Sequence, residues 1–195
     1  MAIGEEFPFL GISWFRIHFV ENPGMAFGWK LGNTDIAKLA LSLFRTIAIG
    51  GIIWYLAQLS KRKAPMITVV TIAFILAGAI GNLVDSAFYG IIFSESTFHN
   101  IAEFMPEGET YGKFMHGAVV DMFYAPMYSG TYPDWIPWLG GKSLIFFRPV
   151  FNFADSAITA GVTLVLIFRK KFLTEEQQTL QDDEEISFIN PVDSE

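Results

Sequence analysis

The fold class is decided by residues 64–85, which read APMITVVTIAFILAGAIGNLVD. The stretch contains no charged residue before Asp85, and no polar face runs along it when it is drawn as a helix. About 20 helical residues cross the roughly 30 Å of hydrocarbon in a bilayer, so this stretch is long enough to span a membrane. A core helix of a soluble protein is the alternative, and the missing polar face argues against it.

Two other stretches have the length and composition of membrane spans, at residues 36–59 and 149–168. The whole sequence agrees with this class, because 52% of its 195 residues are hydrophobic and only 17% are charged. We therefore expect a mainly α membrane protein with three transmembrane helices, a small external β-cradle, and an external loop or helix over the site. A single membrane-embedded domain would cover residues 1–173.

The basic residues near the span ends predict the orientation. Residues 61–63 are Lys-Arg-Lys between the first two spans, and residues 169–171 are Arg-Lys-Lys directly after the third. Because Lys and Arg are enriched on the cytoplasmic side, these two ends are expected inside the cell. Residues 1–35 and 94–148 would then lie outside.

The external N-terminal segment predicts a small β-sheet. Residues 12–20 alternate polar and apolar side chains, which is typical of a half-exposed strand. Pro23 and Gly24 suit a tight turn, and residues 25–29 could return as a second strand. We expect this cradle to extend over about residues 10–33.

The start of the chain does not explain how this segment reaches the outside. The first residues, MAIGEEFPF, have neither the basic nor the apolar region of a signal peptide. No apolar stretch within residues 1–35 is long enough to carry the sheet across a membrane. We therefore expect that a preceding membrane helix is missing, through a truncated gene model or an alternative start.

The acidity of the chain is concentrated in its last segment. Residues 174–195 contain eight acidic residues and no Lys or Arg, whereas the formal net charge of the whole chain is −7. Such a run is usually a solvated, disordered end, so we expect an acidic polar cytoplasmic tail.

Several classes of site have no support in the sequence. The absence of cysteine excludes disulfides, thiolate nucleophiles and cysteine metal sites. The histidines lack the spacing of metal ligands, and the sequence has no basic nucleic-acid patch and no phosphate-binding glycine loop. We expect no cofactor, no metal and no nucleic-acid partner.

Two acidic residues lie in the predicted spans, and an ionisable residue there indicates function by default. Asp85 ends the second span, and Asp155 lies six residues into the third, so both fall near the outer face. Each follows an amide by three positions, in the strings Asn82-Leu-Val-Asp85-Ser-Ala and Asn152-Phe-Ala-Asp155-Ser-Ala. On a helix, residues three apart lie on one side, so each amide would accompany its acid.

A third acid, Asp121, lies in the external sequence HGAVVDMF from His116 to Phe123. We expect it to reach the membrane interface from outside and to meet Asp155. Two carboxylates in a poorly hydrated site cannot both ionise easily, so they share a proton. Such a pair activates water against an amide bond without a metal or a covalent intermediate.

Other readings of the acids remain open. Any single aspartate could be a helix cap or a buried polar group with its hydrogen bonds satisfied. A non-catalytic membrane scaffold, or a proton or solute carrier, would also place carboxylates in spans. Against a carrier, the acids cluster at one face and no second set continues towards the cytoplasm.

Arg45 and the external aromatic residues have weaker functional claims. Arg45 lies inside the first span, where it could contact Asp85 or a lipid phosphate, or lie in the interface if the span begins later. The aromatic residues between Phe123 and Phe147 most simply form an interfacial belt.

At these residues the sequence resembles the lipoprotein signal peptidases. The resemblance covers about residues 11–172, and four motifs carry it in the order of the family. They are Asn22-Pro-Gly24-Met-Ala26-Phe27-Gly28, Gly81-Asn82-Leu-Val-Asp85, Val119-Val120-Asp121 and Phe151-Asn152-Phe-Ala154-Asp155.

The resemblance implies a membrane aspartic endopeptidase that cuts prolipoproteins before a diacylglyceryl-modified cysteine. It implies Asp121 and Asp155 as the catalytic pair, with Asn82, Asp85 and Asn152 as supporting residues. Asn22, Gly24 and Ala26 would belong to the substrate cradle. We expect a monomer among membrane lipids, multi-pass in a bacterial inner membrane, with the site at its outer face.

The sequence departs from the family in two respects. The family usually has arginine after the aspartate of its second motif, where this chain has Ser86, so the ion pair of that position is absent. The family also has four spans, and its first span is the one missing here.

Overall fold

The computed structural model describes residues 1–23 and 35–189, which form three helices and six strands. Helix α1 is Asp35–Lys61, helix α2 is Met66–Ile92 and helix α3 is Phe153–Ile189. Each of these helices overlaps one of the three stretches that the sequence predicts as spans. The structure is helical with antiparallel sheets, as expected of this class.

Two helices are long and apolar enough to cross a membrane, over Lys38–Lys61 and Met66–Ile92. Only 11% and 17% of these stretches are buried within the protein. Core helices of a soluble protein would be mostly buried, so the outward apolar surface agrees with a lipid environment. In α3 the apolar stretch ends at Phe168, and basic residues follow it.

The helix boundaries differ from the sequence prediction at both acid-bearing ends. Helix α2 continues to Ile92, so Asp85 lies inside the helix and does not end it. Helix α3 begins at Phe153, so Asp155 lies in its first turn and not well inside it. The reason is that Val150–Phe151 pairs as a strand before the helix begins.

Glycines let α2 and α3 pack closely near Asp85 on α2 and Asp155 on α3. A Cβ on Gly78 would lie 2.3 Å from the carbonyl oxygen of Ala154, and one on Gly81 would lie 3.1 Å from the Ala154 Cβ. Gly161 approaches Thr71 in the same way farther along the pair. Small residues of this kind let membrane helices approach each other. The contact brings Asn82 and Asp155 to the same place.

The main sheet has four antiparallel strands in the order β1-β2-β3-β6. Their bounds are Glu6–Phe9, Ile12–Asn22, Val119–Tyr124 and Val150–Phe151. Strands β4 (Tyr128–Thr131) and β5 (Ser143–Phe146) form a separate hairpin. Leu10 and Gly11, both at positive φ, make the turn between β1 and β2, as a two-residue hairpin requires.

The predicted strand at 12–20 is confirmed, and it extends to Asn22. Its partners are β1 and β3, neither of which the sequence prediction contained. The proposed return strand at 25–29 lies outside the described residues. Over residues 94–148 the described backbone forms strands and turns, so the alternative of a helix over the site is wrong. The aromatic and β-branched residues of β3 explain its strand conformation.

Aromatic side chains fasten the sheet to the start of α3. Phe123 on β3 is buried and packs against Phe15, Phe151 and Phe153, with ring centroids 4.7–5.8 Å apart. Side chains two apart on a strand share a face, so Asp121 lies on the same face as Phe123. Because Phe153 is the first residue of α3, this packing carries Asp121 to the beginning of that helix.

The segment before β3 is held on the last turns of α2. The backbone N–H groups of Met115 and Gly117 donate to the carbonyls of Ala87 and Ser86. A Cβ on Gly117 would lie 2.7 Å from the Asp85 carbonyl oxygen, so only glycine fits this approach. The entry of β3, and therefore Asp121, is fixed from α2 as well as from the sheet.

The acidic tail differs from the expectation of disorder, because α3 is helical as far as Ile189. Residues 174–185 are rich in Glu and Gln, which have high helix propensity. They also extend an existing helix, so no new helix has to be nucleated.

Candidate active site

Asp121 is buried on β3, with 5% of its surface exposed, and both its carboxylate oxygens accept hydrogen bonds from amides. The Asn152 Nδ2 donates to Oδ1 at 2.9 Å, and the Asn22 Nδ2 donates to Oδ2 at 3.1 Å. Asn22 lies at the end of β2, which pairs with β3 in antiparallel register. The sheet therefore supplies one amide, and the residue before α3 supplies the other.

Asp155 is held at the start of α3 by a reciprocal pair of hydrogen bonds with Asn152. The Asp155 N–H donates to the Asn152 Oδ1 at 2.9 Å, and the Asn152 N–H donates to the Asp155 Oδ2 at 3.2 Å. This is the geometry of a capping box, in which two backbone donors of a helix start are satisfied reciprocally. Local sequence thus fixes the position of the acid.

A chain of two amides joins the two carboxylates. The Asn152 Nδ2 also donates to the Asn82 Oδ1 at 3.2 Å, and the Asn82 Nδ2 donates to the Asp155 Oδ1 at 3.2 Å. Asn152 is buried, with 6% of its surface exposed, so its hydrogen bonds are shielded from water. We call the four residues Asp121, Asn152, Asn82 and Asp155 the amide-linked pair.

The environment of Asp121 favours its protonated form. Burial is the largest cause and raises the pKa of Asp121 to about 6 from an ordinary value of 3.8. The hydrogen bonds from Asn22 and Asn152 act in the opposite direction, whereas the charges of Asp155 and Asp85 raise the pKa further. A negative charge on Asp155 or Asp85 therefore disfavours ionisation of Asp121.

The family model of signal peptidase (SPase) II matches residues 2–170 of this sequence. This chain belongs to the signal peptidase II family. Similar proteins include the lipoprotein signal peptidase of Porphyromonas gingivalis ATCC 33277, which is 52% identical over 155 residues. That alignment covers 79% of this chain and 66% of the relative, so the chain spans slightly less than two thirds of that protein.

More distant members are similar over comparable lengths. The lipoprotein signal peptidase of Amoebophilus asiaticus 5a2 is 38% identical over 167 residues, covering 85% of this chain and 66% of the relative. The one from Chlorobaculum parvum is 31% identical over 159 residues, covering 81% and 73%. Members of the signal peptidase II family are membrane proteins, and the two apolar helices agree with that class.

Asp85, the third acid of this signal peptidase II family chain, lies near the pair but has a different contact. Its Oδ2 accepts the Val120 N–H at 3.4 Å, next to Asp121 in the sequence. Asp85 therefore contacts the backbone of β3. The structure brings together five of the predicted site residues through hydrogen bonds: Asn22, Asn82, Asp121, Asn152 and Asp155. Gly24 and Ala26 lie outside the described residues.

Arg45 does not make a hydrogen bond to Asp85. Its Nη1 donates to the Ser86 Oγ at 2.9 Å, and Ser86 is 3% exposed. The sequence left open whether Arg45 contacts Asp85, a lipid phosphate or the interface; in the structure it contacts Ser86, the residue directly after Asp85. The guanidinium thus reaches the position at which the signal peptidase II family usually has arginine.

Two residues beside the site were not found from the sequence. Burial, followed by the charge of Glu95, raises the pKa of Glu21 on β2. Tyr111 accepts the Ala118 N–H at 2.9 Å, and burial raises its pKa to about 12. Glu21 directly precedes the Asn22 motif, which was the available signal, whereas nothing in the sequence distinguishes Tyr111.

The described residues hold no group of three or more His, Asp or Glu side chains arranged to bind a metal ion. The chemistry that these side chains support is proton transfer between two carboxyl groups. A carboxyl pair of this kind can act as general base and general acid on one bond.

Proposed function

We propose that this chain is an aspartic endopeptidase that cleaves lipid-modified prolipoproteins, with Asp121 and Asp155 as its catalytic residues. The observation that carries the proposal is the amide-linked pair. Asn152 touches both acids, and Asn82 completes a second route from Asn152 to Asp155. Two acids held so specifically by the same amides are suited to share a proton.

The two acids have different surroundings, and from these we infer a different role for each. Asp121 is the member that holds the proton, since burial in the sheet disfavours its charge. Asp155 lies in the first turn of α3, where the free N–H groups and the helix dipole favour an anion. Asp155 then takes a proton from water as the water oxygen attacks the scissile carbonyl carbon. Asp121 gives its proton to the carbonyl oxygen.

The second half of the reaction reverses the direction of proton transfer. The tetrahedral intermediate returns a proton from its gem-diol to ionised Asp121, and protonated Asp155 gives its proton to the leaving nitrogen. The C–N bond then breaks and releases a carboxylic acid and an amine. Each acid ends in its starting state, so no external proton donor is needed.

The substrate class follows from the family relatives and from the setting of the site. The similar proteins are named lipoprotein signal peptidases, whose name gives their substrate class. The site lies where the outward-facing apolar helices meet the sheet, so a lipid anchor on the substrate can stay in the bilayer. We propose prolipoproteins with a diacylglyceryl cysteine as substrates, and membrane lipids as the surroundings.

We also propose how the chain is arranged in the membrane. Residues 1–173 form one membrane-embedded domain, α3 is a third span through residue 168, and the sheet is the external cradle of the substrate. Gly24 and Ala26 belong to that cradle together with Asn22. The basic clusters at 61–63 and 169–171 support a site at the outer face of the bacterial inner membrane. The protein acts as a monomer.

The test is cleavage of a defined substrate by the full chain purified in lipid nanodiscs. The substrate is a prolipoprotein whose cysteine carries diacylglycerol, and mass spectrometry identifies the cut. We expect cleavage directly before that cysteine and much slower cleavage of the unmodified precursor. The P. gingivalis lipoprotein signal peptidase is the positive control. No cleavage by folded protein, while the control cleaves, would overturn the proposal.

A further inference from the structure

Arg45 is a positive charge in the interior of an apolar helix. It lies ten residues after the start of α1, or about 15 Å along the helix at 1.5 Å per residue. Residues 39–60 of the helix contain no other charged side chain. An arginine at such a position is costly unless it faces polar groups in the protein, so its contacts indicate its function.

The side chain of Arg45 is directed towards the acids. In a helix the Cα–Cβ bond tilts towards the N-terminus, and α1 begins at the end of the bundle that holds the site. The guanidinium is partly buried and donates to Ser86, which directly follows Asp85. Ser86 lies four residues after Asn82 on α2, so the two side chains share a helix face, and the Asn82 Nδ2 donates to the Asp155 Oδ1 at 3.2 Å.

The contact with Ser86 fixes the guanidinium without neutralising it. A serine hydroxyl carries no charge, so the positive charge of Arg45 remains available to the carboxylates nearby. Three acids gather here, and the charges of Asp155 and Asp85 both act unfavourably on Asp121. A cation bound on the same face of α2 as Asn82 lowers the cost of placing a negative charge there.

We propose that Arg45 is a positioning residue of the active site, which supplies a positive charge from α1 and is held in place by Ser86. The effect of Arg45 on catalysis rests on the proposed function, whereas its effect on the ionisation of the acids does not. It specifies a role for Arg45 that the sequence left open between Asp85, a lipid phosphate and the interface. The guanidinium comes from α1, whereas the Asn82-Leu-Val-Asp85 motif lies on α2.

The elements that surround Arg45 and the acids carry several titratable groups. They are Asp85 and Tyr89 on α2, Asp155 on α3, Asp121 on β3, and Lys113 and His116 in the segment before β3. The three acids are the groups whose ionisation a nearby cation changes in the acidic to neutral range.

The experiment follows the aspartate carboxyl groups of the full chain by ¹³C NMR as the pH is varied. Arg45→Gln keeps a hydrogen-bond donor for Ser86 but removes the charge. We expect at least one site carboxyl to titrate about one pH unit higher than in wild type, as removal of a nearby charge predicts. Arg45→Lys should restore most of the shift, and Lys38→Gln on the same helix is the matched control.

A second measurement uses the acid side of the pH–rate profile for cleavage. The midpoint should rise in Arg45→Gln, return in Arg45→Lys and stay unchanged in Lys38→Gln. Unchanged carboxyl titration in folded Arg45→Gln or in Arg45→Ala would overturn the role of Arg45, whether or not the protein cleaves. Failure of wild type to cleave, with the titration shifted as expected, would instead contradict the proposed function and leave the electrostatic role supported.

Discussion

Residues 82–87 and 152–157 share the pattern Asn-x-x-Asp-Ser-Ala, but the protein uses the two copies differently. The first copy lies inside α2, and the second straddles the start of α3. In the second copy, Asn152 and Asp155 bind each other. In the first copy, Asn82 binds Asp155 and Asp85 binds the Val120 N–H, so both reach other elements.

The difference has a simple physical origin. At a helix start the first N–H groups have no partner within the helix, so one oxygen each of Asn152 and Asp155 accepts from the local backbone, while their other side-chain atoms bind Asp121 and Asn82. Inside a helix those donors are already used, and side chains of the first copy are free to bind other elements. The serines follow the same rule: Ser156 donates to the Asn152 carbonyl, whereas Ser86 receives Arg45 from α1.

The largest expected effect comes from the acids of the amide-linked pair. Asp121→Asn and Asp155→Asn each remove a proton acceptor while keeping the shape of the side chain. We expect the rate of prolipoprotein cleavage to fall at least about 10³-fold in each variant, within the range for loss of general acid–base catalysis. Purified variants would be compared at equal folded concentration. Near-normal turnover of either variant would remove that acid from the mechanism.

The next prediction separates two functions of Asn152: capping of α3 through its Oδ1, and donation from its Nδ2 to Asp121 and Asn82. Asn152→Ala should lower the free energy of unfolding by about 1 kcal/mol, as loss of an N-cap does. It should also lower cleavage about 10²-fold, because Asp121 and Asn82 both lose the donor that the Asn152 Nδ2 supplies. Asn152→Ser is the matched variant, since serine caps helices well but cannot donate to Asp121 and Asn82 together.

The serine variant should therefore recover stability without recovering activity. Thermal unfolding and cleavage rates of the same samples give both quantities. Recovery of both together would mean that Asn152 acts only as a cap.

A smaller effect is expected from a substitution at the contact between α2 and α3, the helices that carry the two copies of the pattern. In Gly78→Ala the added Cβ meets the Ala154 carbonyl, so the helices must shift, at a cost of about 1–3 kcal/mol. Gly50→Ala in α1 is the control, because a Cβ there meets nothing within 4 Å. Thermal unfolding in detergent should fall for the first variant and hold or rise for the second. Equal behaviour would contradict the close packing.

The smallest effect concerns pH and stability. Asp121 has a higher pKa in the folded protein, about 6, than its ordinary 3.8. Its protonation therefore stabilises the fold, fully below about pH 4, and this contribution is lost as the pH rises through 6. The Tm of wild type minus that of Asp121→Asn should decrease as the pH rises from 4 to 8. A difference independent of pH would contradict the raised pKa.

The sequence predicted where the helices lie and five residues that hydrogen-bond to one another in the structure, because each depends on local signals. Apolar runs identify α1 and α2, and the repeated Asn-x-x-Asp pattern identifies the residues that converge. The start of α3 was misplaced because the pairing of Val150 and Phe151 with β3 is not local. The link from Asn82 to Asp155 depends on the approach of two helices at Gly78, which only tertiary structure reveals.

The most direct test compares Asp85→Asn with Asp155→Asn, the acids of the two copies, in one cleavage assay on a diacylglyceryl prolipoprotein. Asp85→Asn keeps an oxygen that can accept the Val120 N–H, so we expect a loss of about 10-fold or less. Asp155→Asn should lose at least about 10³-fold, because it removes one of the two proposed catalytic carboxylates. Equal and complete loss in both folded variants would contradict the assignment of the catalytic pair.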